Sequence, residues 1–259
     1  MEILCSKADG ILTIEFNRPQ RKNAITSAMY QTMADALIDG ELDAAVRAVL
    51  IIGQPEIFTA GNDLDDFMKN AGPVSGEALE ERQVFRFMGA LNGTSKPVVV
   101  AVSGAAVGIG TTMLMHCDLV YCADNAKFSM PFVQLGLCPE FASSLLFAQI
   151  AGYPRAAEKL MLGEAFLAQE ALQMGLVARV LPLAELIPFA RSQAAKLVAL
   201  PAASIRATKQ LMKSARAQAI VDTMLEENKL FGAMLQAPEA KEAFTAFFEK
   251  RKPDFSKFS

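Results

Sequence analysis

The sequence holds one histidine, His116, in 259 residues. A Ser-His-Asp triad and an HExxH zinc motif both need histidine at defined places, and His116 sits inside an apolar run beside Met115 and Cys117. It reads as a packed, hydrogen-bonded core histidine. The four cysteines, Cys5, Cys117, Cys122 and Cys138, form no CxxC pair. That spacing excludes a disulfide framework and a zinc site, and the thiols are expected to be reduced. No Walker A sequence is present. The net charge of −3 comes with no long basic helix, so nucleic acid is not an expected partner. The first 16 residues alternate and lack a basic stretch before an apolar core, so no signal peptide is read and a cytoplasmic location is expected. The longest apolar tract, 98–115, is interrupted by Gly104, Gly108 and Gly110 and reads as strand, turn and helix, so no membrane span is expected.

What is present is an apolar chain. Hydrophobic residues make up 52% of the sequence, and its mean hydropathy is +0.26. Such a chain buries a full core and often further surface in subunit contacts. Strands are expected at 3–6 and 10–16 around an Ala8-Asp9-Gly10 turn, and at 46–52, 98–102, 119–122 and 127–129. A helix is expected from Thr26 to Asp39, capped by Thr26 or Ser27. Residues 55–68 read as a loop leading into a short helix, 81–92 and 108–116 as helices. The stretch 70–80, rich in Gly, Pro and Ser, is expected to be mobile. Strands alternating with helices imply a mainly parallel sheet covered on both faces. Beyond residue 185 only helical patterns remain, at 184–199, 204–216, 218–235 and 238–251. The chain is therefore divided into an α/β core, 1–184, and a C-terminal helical region, 185–259.

The segment from Val98 through Ser103-Gly104 to Gly108-Ile109-Gly110 aims main-chain N–H groups and a helix start at one point. An anion or a developing oxyanion suits that point. The same glycine spacing, with Asp124 about 20 residues on, also suits a dinucleotide. Against that, the turn lies about 100 residues into the chain, and none of Tyr30, Tyr121 or Tyr153 has Lys four residues on.

A second loop, Ile57-Phe-Thr-Ala60-Gly61-Asn62-Asp63-Leu64, joins the glycine turn. The pair resembles the two signature segments of the crotonase (enoyl-CoA hydratase/isomerase) family. The resemblance runs over essentially the whole chain. It includes Asn17-Arg18-Pro19 with Lys22-Asn23-Ala24, Lys96-Pro97, His116-Cys117-Asp118, Ala168 to Val177, and Phe247 to Lys252. It implies a crotonase-like spiral of ββα units, with the C-terminal helices in a trimer or hexamer. It implies an acyl-CoA substrate and no separate cofactor, coenzyme A entering as part of the substrate.

By resemblance, the thioester carbonyl takes one main-chain N–H each from Asn62 and Ile109. Residue type at these positions is expected to matter little. Lys22, Asn23 and Ala24, with Ala60, Gly61, Asp63 and Leu64, are expected along the adenine end of coenzyme A. Gly108 and Phe132 are expected to contact substrate, and Lys250 to approach the coenzyme A phosphates. The two glutamates of typical hydratases fall on Thr112 and Phe132, which cannot do that work. Glu140, in Pro139-Glu-Phe-Ala-Ser143-Ser144, instead resembles the catalytic glutamate of peroxisomal-type Δ3,Δ2-enoyl-CoA isomerases. Without the resemblance, Glu140 would read as a helix-start acid answering the dipole. An apolar acyl pocket is expected from Phe67, Met68, Phe85, Met113, Phe132 and Phe141. The alternatives are hydration or another coenzyme A reaction, or a non-catalytic relative that binds the thioester.

Overall fold

The computed structural model describes residues 1–70 and 82–258. The first hairpin is β1 (Ile3–Ala8) and β2 (Ile11–Phe16), turning at Asp9 and Gly10, both with positive φ. Helix α1 (Ser27–Leu42) starts at Thr26, whose hydroxyl accepts the Met29 N–H. That oxygen satisfies one of the orphan donors of the first turn. Then come β3 (Ala48–Ile52), β4 (Ile57–Thr59), α2 (Leu64–Asn70) and α3 (Gln83–Gly93). The stretch read as mobile lies, from residue 71 on, outside the described residues.

Next are β5 (Val98–Val102), β6 (Ala105–Val107) and α4 (Ile109–Thr112), which tightens into a 3₁₀ turn at Met113–His116. They are followed by β7 (Leu119–Ala123), β8 (Lys127–Ser129), α5 (Ser143–Ala151), α6 (Tyr153–Leu162), β9 (Phe166–Leu167), α7 (Ala168–Met174) and β10 (Arg179–Leu181). Four helices end the chain: α8 (Leu183–Ala199), α9 (Ala202–Ser214), α10 (Ala217–Gln236) and α11 (Pro238–Phe248).

The strands form two sheets, where one mainly parallel sheet was expected. The larger runs β1-β2-β3-β5-β7-β10 and is parallel beyond its first hairpin; the smaller runs β4-β6-β8-β9. The chain places a strand in the large sheet, one in the small sheet, then a helical or irregular segment, and repeats. This is the ββα spiral that the resemblance implies. Strands β4 and β6, three residues each, fall in stretches whose sequence reads as loop and turn, and β9, of two residues, carries no periodic signal.

Burial explains the unbroken apolar strands. In β3 and β5, Val49, Ile51, Val98, Val100 and Val102 face the main core, while Leu50, Ile52, Val99 and Ala101 face Leu186, Ala190 and Ala194 of α8. A strand covered on both faces has no polar side, so it shows no alternation. Charged anchors tie the helical region to the core. Lys209 of α9 is buried and donates to Asp118 and to the Lys96 carbonyl, while Asp118 accepts from the Val98 N–H at the start of β5.

Candidate active site

Strands β4 and β6 run parallel, with Thr59 opposite Ala106. Asn62 and Ile109 each stand three residues beyond that matched pair, so the register carries both to the same end of the small sheet. Gly61 makes the close approach possible. Its φ is +84°, and a Cβ there would lie 2.7 Å from the Val107 carbonyl oxygen. Gly61 and Asp63 bond across to Ile25, through Ile25 N–H to Gly61 O (2.8 Å) and Asp63 N–H to Ile25 O (2.9 Å). Asn62, between them, then points its own N–H away from that bridge. Ile109 opens α4 after Gly108, whose φ is +56°, and its side chain is buried.

A cavity of about 300 Å³ lies against this end of the sheet, with Asn62 and Glu140 both in its wall. Glu140 precedes α5 in a turn where Phe141 and Ala142 have φ of +58° and +54°. Glu140 is 7% exposed. One oxygen, Oε1, accepts the Thr112 hydroxyl at 2.5 Å. The other, Oε2, is buried and has no hydrogen-bond partner among the described residues. Burial pushes the carboxyl pKa up to about 8; the Thr112 hydrogen bond opposes this and the nearby Glu227 carboxylate adds to it. The helix-start reading of Glu140 is not what the fold uses. The first N–H groups of α5 are met by Glu227 instead, which accepts from Ala142 N–H (2.6 Å), Ser144 N–H (3.0 Å) and the Ser144 hydroxyl (2.5 Å).

The enoyl-CoA hydratase/isomerase family model matches residues 6–257. The chain belongs to this family. It is 31% identical to the probable enoyl-CoA hydratase echA8 of Mycobacterium leprae (strain TN), over 95% of this chain and 94% of that one. It is 35% identical to enoyl-CoA delta isomerase 2 of Rattus norvegicus, over 96% of this chain and 64% of that one. The crystal structure of an enoyl-CoA hydratase/isomerase from Pseudoalteromonas atlantica T6c superposes with a TM-score of 0.93 at 38% identity, covering 98% of this chain and all of that one. The relatives thus include both hydratases and isomerases. As an enzyme of this family, the chain acts on acyl-CoA thioesters.

The two loops expected at the adenine end do meet in this hydratase/isomerase-family enzyme. Ala60 N–H donates to Lys22 O, and the Thr59 hydroxyl donates to Asn23 O. Lys22 is exposed in a left-handed conformation, Ala24 accepts from Arg18, and Leu64 opens α2. Two side chains read as lining residues turn inward instead. Asn23 is fully buried, donating to the Ile57 and Phe58 carbonyls, and Asp63 is ion-paired with Arg18 at 2.7 Å. Both side chains hold the loops together. Phe132 packs in the main core rather than in the cavity wall, and Lys250 lies exposed after α11, with a φ of +55°.

The cavity also corrects the apolar pocket. Phe67 and Phe85 line it, but Met113, Phe132 and Phe141 are core, and Met68 is exposed. Polar groups share the wall, among them Tyr30, Asp66, Arg82 and Asn228. Nor is residue type at position 62 indifferent, since Asn62 Oδ1 accepts the Tyr30 hydroxyl at 2.5 Å. Tyr30 gives no local signal. It is one core-facing position of α1 until the fold sets it beside the loop. His116 is the packed histidine expected from sequence, with Nε2 2.8 Å from the Phe141 carbonyl and Nδ1 3.2 Å from Asn92 Oδ1. Burial lowers its pKa to about 3, so it is neutral.

Proposed function

We propose that the enzyme is a Δ3,Δ2-enoyl-CoA isomerase with Glu140 as its single acid/base. The observation that carries this reading is the asymmetry of the Glu140 carboxyl. One oxygen is held by Thr112, and the other is buried, unpartnered and in the cavity wall. A base whose pKa lies near working pH can both take and return a proton.

The Asn62 and Ile109 N–H groups polarise the thioester carbonyl and stabilise the enolate oxygen; losing one such donor typically costs about 3 kcal/mol of transition-state stabilisation. Ionised Glu140 removes a C2 proton from a 3-enoyl-CoA. The electron pair delocalises into a dienolate. The protonated carboxyl then delivers the proton to C4, and the double bond moves from C3=C4 to C2=C3. One carboxyl suffices because C2 and C4 end the same short allyl unit. The loops at 22–24 and 60–64, with Gly108 and Lys250, are assigned to coenzyme A, Lys250 acting across a subunit contact. No further cofactor is assigned. A cytoplasmic trimer or hexamer is proposed, supported by exposed apolar side chains on the terminal helices, such as Leu211, Leu225 and Phe247.

Hydration is the second reading. It is favoured by Asp66, a second carboxylate on the cavity wall, although one of its oxygens already accepts from the Ser27 N–H and hydroxyl. The test assays wild type, Glu140→Gln and Asp66→Asn on 3-enoyl-CoA and 2-enoyl-CoA. Conversion of 3-enoyl to 2-enoyl thioester, reduced about 100-fold or more in Glu140→Gln only, is expected. A 3-hydroxyacyl product that requires both carboxylates would establish hydration and overturn the isomerase.

A further inference from the structure

Glu227 is an acid on α10 that the proposed chemistry does not use. It is 6% exposed, and both its carboxylate oxygens accept hydrogen bonds from the segment just after Glu140. Phe141 and Ala142, between Glu140 and the start of α5, are both left-handed without being glycine. Such a pair persists only where the surroundings over-determine it. Two groups do so here. The His116 ring stacks on Phe141 at 3.8 Å and binds its carbonyl, and Glu227 takes the Ala142 and Ser144 N–H groups. The turn dictates where the Glu140 carboxyl points. Helix α10 also supplies the cavity wall with Asn228 and Phe231.

We propose that Glu227 is a positioning residue for Glu140: from α10 it holds the left-handed turn that aims the Glu140 carboxyl into the cavity, and its buried negative charge acts on that carboxyl. This rests on Glu140 being the acid/base.

The second part follows from what surrounds Glu140. Tyr30 faces it from α1 and Glu227 from α10, and the Cys138 thiol, its pKa raised by burial, stands two residues before it; His116, in the turn after α4, packs on the adjoining Phe141, Asp66 and Arg82 stand elsewhere on the cavity wall, and Lys213 donates to the His116 carbonyl from behind. Tyr30 is buried with its pKa raised well above the ordinary value, and His116 is neutral, so neither brings charge at working pH. The charged neighbour acting on Glu140 is Glu227. Burial raises its own pKa, but both its oxygens face N–H donors, the geometry of an ionised carboxylate.

The test compares wild type with Glu227→Gln, Glu227→Asp and Ser144→Ala. Glu227→Gln removes the charge at constant size; kcat is expected to fall about tenfold or more, with KM changed less than about threefold. The rising limb of its kcat/KM–pH profile should move to lower pH by about half a unit or more. Glu227→Asp keeps the charge but shortens the reach, so kcat falls while the limb stays near the native pH. Ser144→Ala removes one of the donors that favour the ionised form of Glu227, so its kcat and limb are expected between those of wild type and Glu227→Gln. A role confined to capping α5 predicts lower thermal stability in Glu227→Gln with native kcat and limb at a temperature where it is folded, and that result overturns the proposal. If Glu227→Gln does not fold, Glu227→Asp decides: native kcat in that variant overturns the positioning role. Carboxyl titration by difference infrared spectroscopy, assigned with Glu140→Gln, reads the same effect without turnover. If wild type converts neither enoyl thioester, the isomerase reading fails, and the infrared shift in Glu227→Gln still decides whether Glu227 acts on Glu140.

Discussion

At the scale of the residue, the buried carboxyl of Glu140 sets function against stability. Its pKa is about 8 in the fold and near 4.5 in an unfolded chain. Between those values the folded protein binds the extra proton, so stability falls as pH rises through that window. Its contribution is fully present below pH ~4.5 and gone above pH ~8, a swing on the order of 3–5 kcal/mol. Glutamine carries no such penalty and still offers Thr112 an acceptor. Glu140→Gln is therefore expected to melt above wild type, with the gap widening from pH 5 to about pH 8 and reaching several degrees. Melting curves that stay parallel across that range would show that the carboxyl is not desolvated. Thr112 shows how far a residue can be misjudged from sequence. In sequence it marks only a position that lacks a glutamate, yet among the described residues its hydroxyl makes the one hydrogen bond on the Glu140 carboxyl.

At the scale of the element, the glycine-rich stretch 104–110 is two corners with a strand between them. Gly104 turns β5 into β6 at φ +62°, where a Cβ would sit 1.9 Å from the Glu56 carbonyl oxygen. That neighbour is main chain and cannot move aside without breaking the approach of β4 to β6. Gly104→Ala is expected to abolish soluble folded protein or lower the melting temperature by about 10 °C or more, because conformational strain and a backbone clash add. Gly89 is the control. It lies exposed in α3 with nothing near its missing Cβ. Gly89→Ala should stabilise by about 0.5–1 kcal/mol through helix propensity and unfolded-state entropy. A mild Gly104→Ala in the same thermal series would remove the two-corner account. Element boundaries were legible where the run was long. Helix α1 and its Thr26 cap, β5, and the four terminal helices fell close to their expected places, because each has enough residues to express a period or a cap.

At the scale of the whole molecule, the terminal helices do two jobs. Inward, Lys209 and Glu227 tie α9 and α10 to the core and to the turn after Glu140. Outward, Leu211, Met212, Leu225 and Phe247 remain exposed on α9 to α11. Apolar surface of that kind favours self-association. Light scattering is expected to return the mass of three or six 27.9 kDa chains, and Leu225→Asp to lower it or weaken assembly. A single-chain mass in wild type with full turnover would strip assembly of any part in the site, including the role assigned to Lys250.

The sequence by itself determined the family, the α/β core with its helical end, and the candidate roles of Asn62, Ile109 and Glu140. Those rest on ordered local motifs, and a motif is a property of neighbours in the chain. It also pointed to His116 as a packed, hydrogen-bonded core residue, because it lies inside an apolar run. Only the tertiary structure decided that the strands divide into two sheets, that Asn23 and Asp63 turn inward, and that Tyr30, Thr112 and Glu227 stand around the site. Tyr30 and Asn62 are 32 residues apart, Thr112 and Glu140 28, and Glu227 and Ala142 85. Contacts at such separations leave no mark on local pattern. They form because burial of the core brings the segments together, and a polar group carried inside must then find its partner there.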